Sequence, residues 1–217
     1  MGIPTLFREL LQKEVNYVTT IEKNPEYFFL DFNSFIYRIF YKYPFVSEKQ
    51  LVHDVVLELY QLIDTIHPLK MLYIAIDGTA PRAKMVQQRS RRYKSLQLDR
   101  LKEEYHLRHD ISGKTTWNPT NHICPGTIFM MNLNQAILKM LEKNFEWIPK
   151  KIFDTCMKPG EGEHKILPHV KRLRRESPND RVVVFSPDND IISLSLLTQK
   201  SKIKRSEEHT SELQSRQ

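Results

Sequence analysis

Leu72–Tyr93 reads LYIAIDGTAPRAKMVQQRSRRY, in which an apolar run, a carboxylate, a turn and a basic segment follow one another. The apolar run ends on Asp77, and the residues from Gly78 to Pro81 are typical of a turn. Pro81 suits the first position of a helix, where its missing N–H costs nothing. The stretch therefore predicts a strand, a loop and a helix. Ligands of α/β sheets bind at the carboxyl ends of the strands, so this acid beside a cationic helix suits a metal ion and a phosphate together.

The predicted basic helix carries four donors on one face. They are spaced at i, i+4, i+7 and i+8, and they are Lys84, Gln88, Arg91 and Arg92. Between Arg82 and Lys102 there are eight basic residues against one acid, Asp99. Such a cluster can hold a phosphate terminus through several charge-assisted hydrogen bonds. A basic helix that only faces water is the alternative, but an uncharged donor on the same face favours a phosphate site.

The composition indicates a globular chain with an anionic partner. The 217 residues, 40% of them hydrophobic, suffice for one α/β domain with a sizeable core. The net charge of +7 does not distinguish nucleic acid from a membrane or an acidic protein. Cys124 and Cys156 lack metal-site spacing and are too few for a disulfide framework, so we expect an intracellular location, cytoplasmic or nuclear, with the cytoplasm favoured. We find no apolar segment of the roughly 20 residues needed to span a bilayer and no secretory signal.

The end of the chain differs in character from the rest. Residues 205–215 read RSEEHTSELQS, which resembles the translation of a sequencing-library adapter. We therefore expect residues 205–217 to be a non-native tail. On this interpretation residues 1–204 are the truncated N-terminal portion of a longer domain.

Hydrophobic periodicity predicts strands that alternate with helices. The predicted strands are Tyr27–Leu30, the run ending at Asp77, Ile148–Phe153 and Val182–Phe185, and the predicted helices include Met1–Leu11, Val55–Ile66, Phe129–Leu141 and Ile191–Leu197. The polar segment Asp110–Cys124 is predicted to be a loop. The pattern indicates an α/β fold with a mostly parallel twisted sheet and helices on both faces.

Six carboxylates follow the predicted strands: Asp31, Asp77, Glu161, Glu163, Asp188 and Asp190. The carboxyl ends of parallel strands gather at one edge, where these acids would repel one another unless divalent cations lay between them. Hard oxygen ligands suit Mg²⁺ or Mn²⁺, and two such ions can activate water and stabilise the leaving oxygen of a phosphodiester. Acids at helix starts are also favoured by capping and by the helix dipole, so any single pair has a purely structural alternative.

The run DGTAPRAKMVQQRSRRY resembles a signature of the XRN-type 5′-to-3′ exoribonucleases, and the similarity extends from Met1, with its opening MGIPTLFRELL, to about Leu197. The resemblance implies a PIN/flap-nuclease-like fold and a hydrolase that degrades single-stranded RNA from a 5′-monophosphate end, releasing mononucleotides. It implies that the six acids bind two metal ions, Mg²⁺ or Mn²⁺, and that the four donors of the basic helix enclose the 5′-monophosphate. Tyr37 matches the place of a histidine that stacks on the terminal base in the family, although a core tyrosine is the alternative.

Some features depart from the family pattern or leave other functions open. Pro168 falls inside the helix expected after Glu163, where a proline costs about 3 kcal/mol or kinks the helix. The family's seventh acid and second stacking aromatic would lie beyond this chain, so we expect the fragment itself to be inactive. A flap-type endonuclease would share the fold and the acids but not the basic signature. A non-catalytic RNA-binding scaffold would have lost carboxylates, whereas all six are present.

Overall fold

The computed structural model describes residues 23–109, 117–186 and 203–206. Within these residues, five parallel strands form one sheet: β1 (Tyr27–Asp31), β2 (Met71–Ala75), β3 (Lys150–Asp154), β4 (Val182–Phe185) and β5 (Ile203–Ser206). Their order across the sheet is β3-β2-β1-β4-β5. The described helices are α1 (Phe32–Lys42), α2 (Glu48–Ile66), α3 (Arg82–Arg108), α4 (Pro119–His122), α5 (Ile128–Lys143) and α6 (Gly162–Glu176).

The helices cover both faces of the sheet, which explains why the central strands are apolar throughout. Phe28 and Leu30 of β1 belong to the larger core, in which α1, α2 and α5 pack on one face. Phe29 points to the opposite face and packs in a smaller core with Ile166 and Val170 of α6. Because successive side chains of a strand alternate between faces, a strand buried on both sides needs an unbroken apolar run. The predicted α/β architecture is confirmed.

The register of the sheet brings the strand ends to one level. Asp31 pairs with Ala75 of β2, and Leu30 pairs with Phe185 of β4. The residues that leave these strands, which begin at Ile76 and at Ser186, therefore emerge beside Asp31. This shared edge is where a parallel sheet places its ligand sites.

Several predicted elements differ in detail from the structure. Pro81 is the residue before the first helical position of α3 rather than the first helical residue. The prediction of a loop over Asp110–Cys124 is wrong at its end, because Pro119–His122 forms α4, whose start is capped by Asn118. Pro168 lies inside α6 without ending it. The expected kink site is thus accommodated within a 15-residue helix.

Other predictions lie outside or at the limit of the described residues. The predicted helices at Met1–Leu11 and Ile191–Leu197 lie outside them. The sequence did not predict β5, which contains Arg205 and Ser206 of the tail that we set aside. The origin of residues 205–217 stays a prediction. In the described part of the chain, no helix combines the length and apolarity needed to cross a membrane.

Candidate active site

Two buried strand ends contribute the first acids of the site. Asp31 is the last residue of β1 and is 4% exposed, and its Oδ2 accepts a hydrogen bond of 2.9 Å from Ser186 Oγ, just past β4. Asp77 lies two residues past β2, and its backbone N–H donates to Asn33 Oδ1 at 3.1 Å. Ser186 thus holds the carboxylate of Asp31, and Asn33 holds the backbone of Asp77. Asn33 and Ser186 were not predicted, because their role depends on the strand register.

The start of α6 inserts between these two carboxylates. The backbone N–H of Gly162 donates to Asp77 Oδ1 at 2.7 Å. A Cβ atom at Gly162 would lie 2.6 Å from Asp31 Oδ1 and 3.4 Å from Asp77 Oδ1. A side chain at this position would collide with Asp31, so glycine permits the close approach of the helix backbone.

Glu161 and Glu163 flank this glycine and carry the acid cluster onto α6. Glu161 is the buried residue that precedes the helix, and its Oε1 lies 3.2 Å from Lys84 Nζ of α3. His164 Nδ1 lies 3.6 Å from Glu161 Oε2 and 3.9 Å from Glu163 Oε1. Among the described residues, Glu161, Glu163 and His164 offer ligand atoms within 4.8 Å of one another. His164 was not predicted as a site residue, although its place directly after the two glutamates was a usable signal.

The prediction that Glu161 and Glu163 follow a strand is wrong. Glu161 and Glu163 do not follow a strand directly, because the strand-end acid of β3 is Asp154. Lys158 Nζ donates to both carboxylate oxygens of Asp154 at 2.8 and 2.9 Å, and the Tyr73 hydroxyl donates to Oδ2 at 2.5 Å. Burial favours a higher pKa for Asp154, but these hydrogen bonds outweigh burial and lower the pKa. Asp154 is therefore an ion-paired residue beside the acid cluster.

The electrostatics of the cluster suit a cation. Burial raises the pKa of Asp77, the Gly162 hydrogen bond opposes this, and the charge of Glu161 raises it further. Burial also raises the pKa of Glu163, with additional upward contributions from Glu161 and Asp77. Carboxylates that repel one another in this way are stabilised by a positive charge between them. The donors are mainly hard carboxylate oxygens, which fit Mg²⁺ or Mn²⁺ better than a softer metal.

A cleft of about 310 Å³ joins these acids to the basic helix. We call it the acid cleft, and the predicted site residues that line it are Tyr37, Asp77, Lys84, Gln88, Arg91, Arg92, Glu161 and Glu163. None of the residues of α3, all of which the structure describes, is buried, so its donors can reach a ligand. Asp31 lies behind these lining residues, next to Gly162. Asp188 and Asp190 lie outside the described residues.

Tyr37 lines the acid cleft from α1 and also packs against the larger core. Burial, followed by the nearby Cys124, raises its pKa to about 12. Its hydroxyl group therefore stays protonated near neutral pH. This position suits both the stacking role implied by the resemblance and the core alternative, so that role stays a prediction.

Comparison with known proteins places this geometry in context. A family model described as the XRN 5′-3′ exonuclease N-terminus matches residues 1–206. The 5′-3′ exoribonuclease 2 of Aspergillus oryzae is 33% identical over 247 residues, an alignment that covers 91% of this chain and 24% of that protein. The 5′-3′ exoribonuclease 1 of Schizosaccharomyces pombe is 33% identical over 218 residues, which cover 91% of this chain and 16% of that protein. The 5′-3′ exoribonuclease 2 of Gallus gallus is 30% identical over 244 residues, with 91% of this chain and 26% of that protein covered. The chain thus spans about a quarter or less of these relatives.

Proposed function

Because this chain belongs to the XRN 5′-3′ exonuclease N-terminus family, we propose that it supplies the active site of a divalent-metal-dependent exoribonuclease. The substrate is single-stranded RNA with a 5′-monophosphate, and the products are mononucleotides. The observation that supports this proposal is the acid cleft, which places the donors of α3 opposite Asp77, Glu161 and Glu163. The free, buried cysteines agree with a reducing compartment, so the proposal locates the enzyme in the cytoplasm or nucleus.

The basic side of the acid cleft binds the 5′ end. Lys84, Gln88, Arg91 and Arg92 can together surround one terminal phosphate with charge-assisted hydrogen bonds. A 5′-hydroxyl would leave these cations without their anion, and we expect a triphosphate or a cap to bind less well because either one places further groups beyond the four donors. Lys84 also reaches Glu161, so the phosphate site and the acids are directly adjacent. This adjacency suits cleavage of a phosphodiester close to the bound end.

The acidic side holds the cations. Asp31, Asp77, Glu161 and Glu163, together with Asp188 and Asp190, are the residues that would bind two Mg²⁺ or Mn²⁺ ions. When bound, such ions supply Lewis acidity and an activated water. Gly162 orients the Asp77 carboxylate through its N–H, and Ser186 orients Asp31. The protein thus fixes the carboxylates before any ligand arrives, which is the arrangement that catalysis by positioning requires.

The phosphate site can be tested by binding, independently of turnover. Oligoribonucleotides that differ only in a 5′-monophosphate, hydroxyl, triphosphate or cap are compared by fluorescence anisotropy. We expect the monophosphate to bind most tightly. Each charge-assisted bond is worth about 1.5 to 3 kcal/mol, so Arg91→Ala should weaken binding of the monophosphate RNA by about tenfold to a hundredfold and change binding of the hydroxyl RNA little.

Arg100→Ala is the matched control, because Arg100 lies on α3 and is exposed outside the acid cleft. This variant removes the same charge and should weaken the binding of all four RNAs slightly and equally. Equal affinities for the four ends, or an Arg91→Ala loss of the same size on each, would identify the cluster as a general backbone-binding surface. That outcome would favour the non-catalytic scaffold. Calorimetric titration with Mn²⁺ tests the metal part of the proposal separately.

A further inference from the structure

Lys165 places an ammonium group directly behind the acid cluster. It belongs to the first turns of α6, and the residue is 8% exposed. Its Nζ donates to the backbone carbonyl of Ile76 at 2.6 Å and to that of Thr155 at 3.0 Å. A buried lysine is rare unless its charge is satisfied, so these carbonyl contacts account for its position.

The two carbonyl groups belong to the segments that leave neighbouring strands. Ile76 directly precedes Asp77, and Thr155 directly follows the last residue of β3. The N–H of Ile76 also donates to the carbonyl of Asp154 at 2.9 Å, which joins the same two segments. Lys165 therefore ties α6 to the backbone on which Asp77 stands.

The same helix turn carries the other acids. The backbone N–H of Lys165 donates to the carbonyl of Glu161 at 3.1 Å, so Lys165 lies one turn after Glu161. Gly162 contacts the Asp77 carboxylate from this turn. A shift of Lys165 would thus move Asp77 relative to Glu161 and Glu163. Lys158 is a nearby cation whose exposed ammonium group pairs with Asp154, and its contact with the Thr155 carbonyl is made by its backbone N–H.

We propose that Lys165 is a positioning residue, which sets the separation between Asp77 and the α6 glutamates and thereby the affinity of the site for divalent cations. The cation part rests on the proposed function. The positioning part concerns the backbone alone and can be measured without any metal.

The experiment compares Lys165→Met with Lys158→Met in the full chain. Both changes remove a cation beside Asp154, but only the ammonium group of Lys165 donates to the strand-end carbonyls. Lys158 donates to the Thr155 carbonyl through its backbone N–H, which methionine keeps. Residue-resolved amide hydrogen exchange follows the N–H groups of Gly162 and Asp77, with those of β1 as an internal reference. We expect Lys165→Met to accelerate exchange at these two positions by about tenfold relative to β1, and we expect Lys158→Met to leave them unchanged.

Mn²⁺ binding, measured by calorimetry, supplies the second readout. Positioning predicts that Lys165→Met weakens Mn²⁺ binding by about tenfold, since the ligands are no longer held together. If Lys165 acted only as a repelling charge, its removal would strengthen binding, and that result would overturn the proposal. Uniformly faster exchange over the whole sheet would also overturn it, because it would show a general loss of stability.

Failure of the variant to fold and failure of the chain to bind Mn²⁺ each have a defined consequence. If Lys165→Met does not fold, Lys165→Gln, whose amide donor is shorter by one bond, takes its place in both measurements, and we expect changes in the same direction but of smaller size. If the unmodified chain binds no Mn²⁺, the metal part of the proposed function fails. Amide exchange then decides the positioning role by itself, and unchanged exchange at Gly162 and Asp77 would refute it.

Discussion

At the scale of single residues, Gly162 leaves no room for a side chain beside the acid cluster. Replacement by alanine would put a Cβ atom 2.6 Å from Asp31 Oδ1, whose carboxylate is buried and bonded to Ser186. Because Asp31 has little room to move, we expect Gly162→Ala to displace the carboxylate, weaken Mn²⁺ binding at least tenfold and lower the free energy of unfolding by about 1 to 3 kcal/mol. Calorimetric titration and urea unfolding measure the two effects.

Gly126→Ala provides the control for this prediction. Gly126 has φ +85°, and a Cβ atom at this position would meet no other atom within 4 Å, so alanine there adds backbone strain without a collision. It should cost about 1 kcal/mol of stability and leave Mn²⁺ affinity intact. Unchanged Mn²⁺ binding by Gly162→Ala would show that the acids adapt to the extra carbon.

Helical spacing was enough to predict which side chains of α3 share a face, and the structure places Lys84, Gln88 and Arg91 in one cleft. Strand-end position likewise predicted Asp31 and Asp77. Lys165 could not be predicted, because its partners are backbone carbonyls that only the packing of α6 brings near. The same holds for Asn33, which contacts Asp77 across the sheet edge.

At the scale of elements, the start of α5 supports one wall of the acid cleft. Thr127 Oγ1 accepts from the N–H of Met130 at 3.3 Å and donates to the carbonyls of His122 at 2.6 Å and Cys124 at 2.9 Å. It therefore caps α5 and holds the turn that leads from α4. Loss of an N-cap typically costs about 1 kcal/mol, so Thr127→Ala should reduce the free energy of unfolding by at least that amount.

Urea unfolding of Thr127→Ala and Thr127→Ser checks this prediction. Serine keeps the hydroxyl group and loses only a methyl group, so most of the stability should return. Equal stability of the alanine and serine variants would mean that the hydroxyl group does not cap the helix.

A long helix such as α2 could be predicted because burial of one face imposes a periodic pattern, and β4 could be predicted because burial of both faces imposes an unbroken apolar run. The short helix α4 was missed, since four residues give no periodicity and Asn118–Pro119 is equally typical of a turn. α6 tolerates Pro168 because this residue lies on an exposed part of the helix. The proline removes one backbone hydrogen bond there without leaving a buried polar group unpaired.

At the scale of the whole molecule, the two edges of the sheet have different roles. The edge at the carboxyl ends of the strands carries the repelling acids of the candidate site. The opposite edge carries attractive ion pairs that join the starts of separate strands. Glu26 Oε2 accepts from the backbone N–H of Arg181 at 2.8 Å and from its Nε at 3.2 Å, which connects the residues before β1 and β4. The fold thus gains stability at the edge that is remote from the site.

This arrangement predicts how stability depends on pH. Burial favours a higher pKa for Glu26, but the hydrogen bonds from Arg181 outweigh it and lower the pKa below its ordinary value. A lowered folded-state pKa contributes stability that is present above the unfolded pKa and is lost as the pH falls through the folded value. Both side chains are partly exposed, so Glu26→Gln should cost only about 0.5 to 1 kcal/mol near neutral pH, and the difference from the unmodified chain should shrink toward zero as the pH falls through the lowered pKa of Glu26. Urea unfolding across this range measures it, with Asp180→Asn, which removes the exposed pair with Lys70, as the control. At low pH, a protonated Glu26 and the neutral glutamine should be equivalent. A stability difference between the two chains that stays constant with pH would therefore contradict the electrostatic origin.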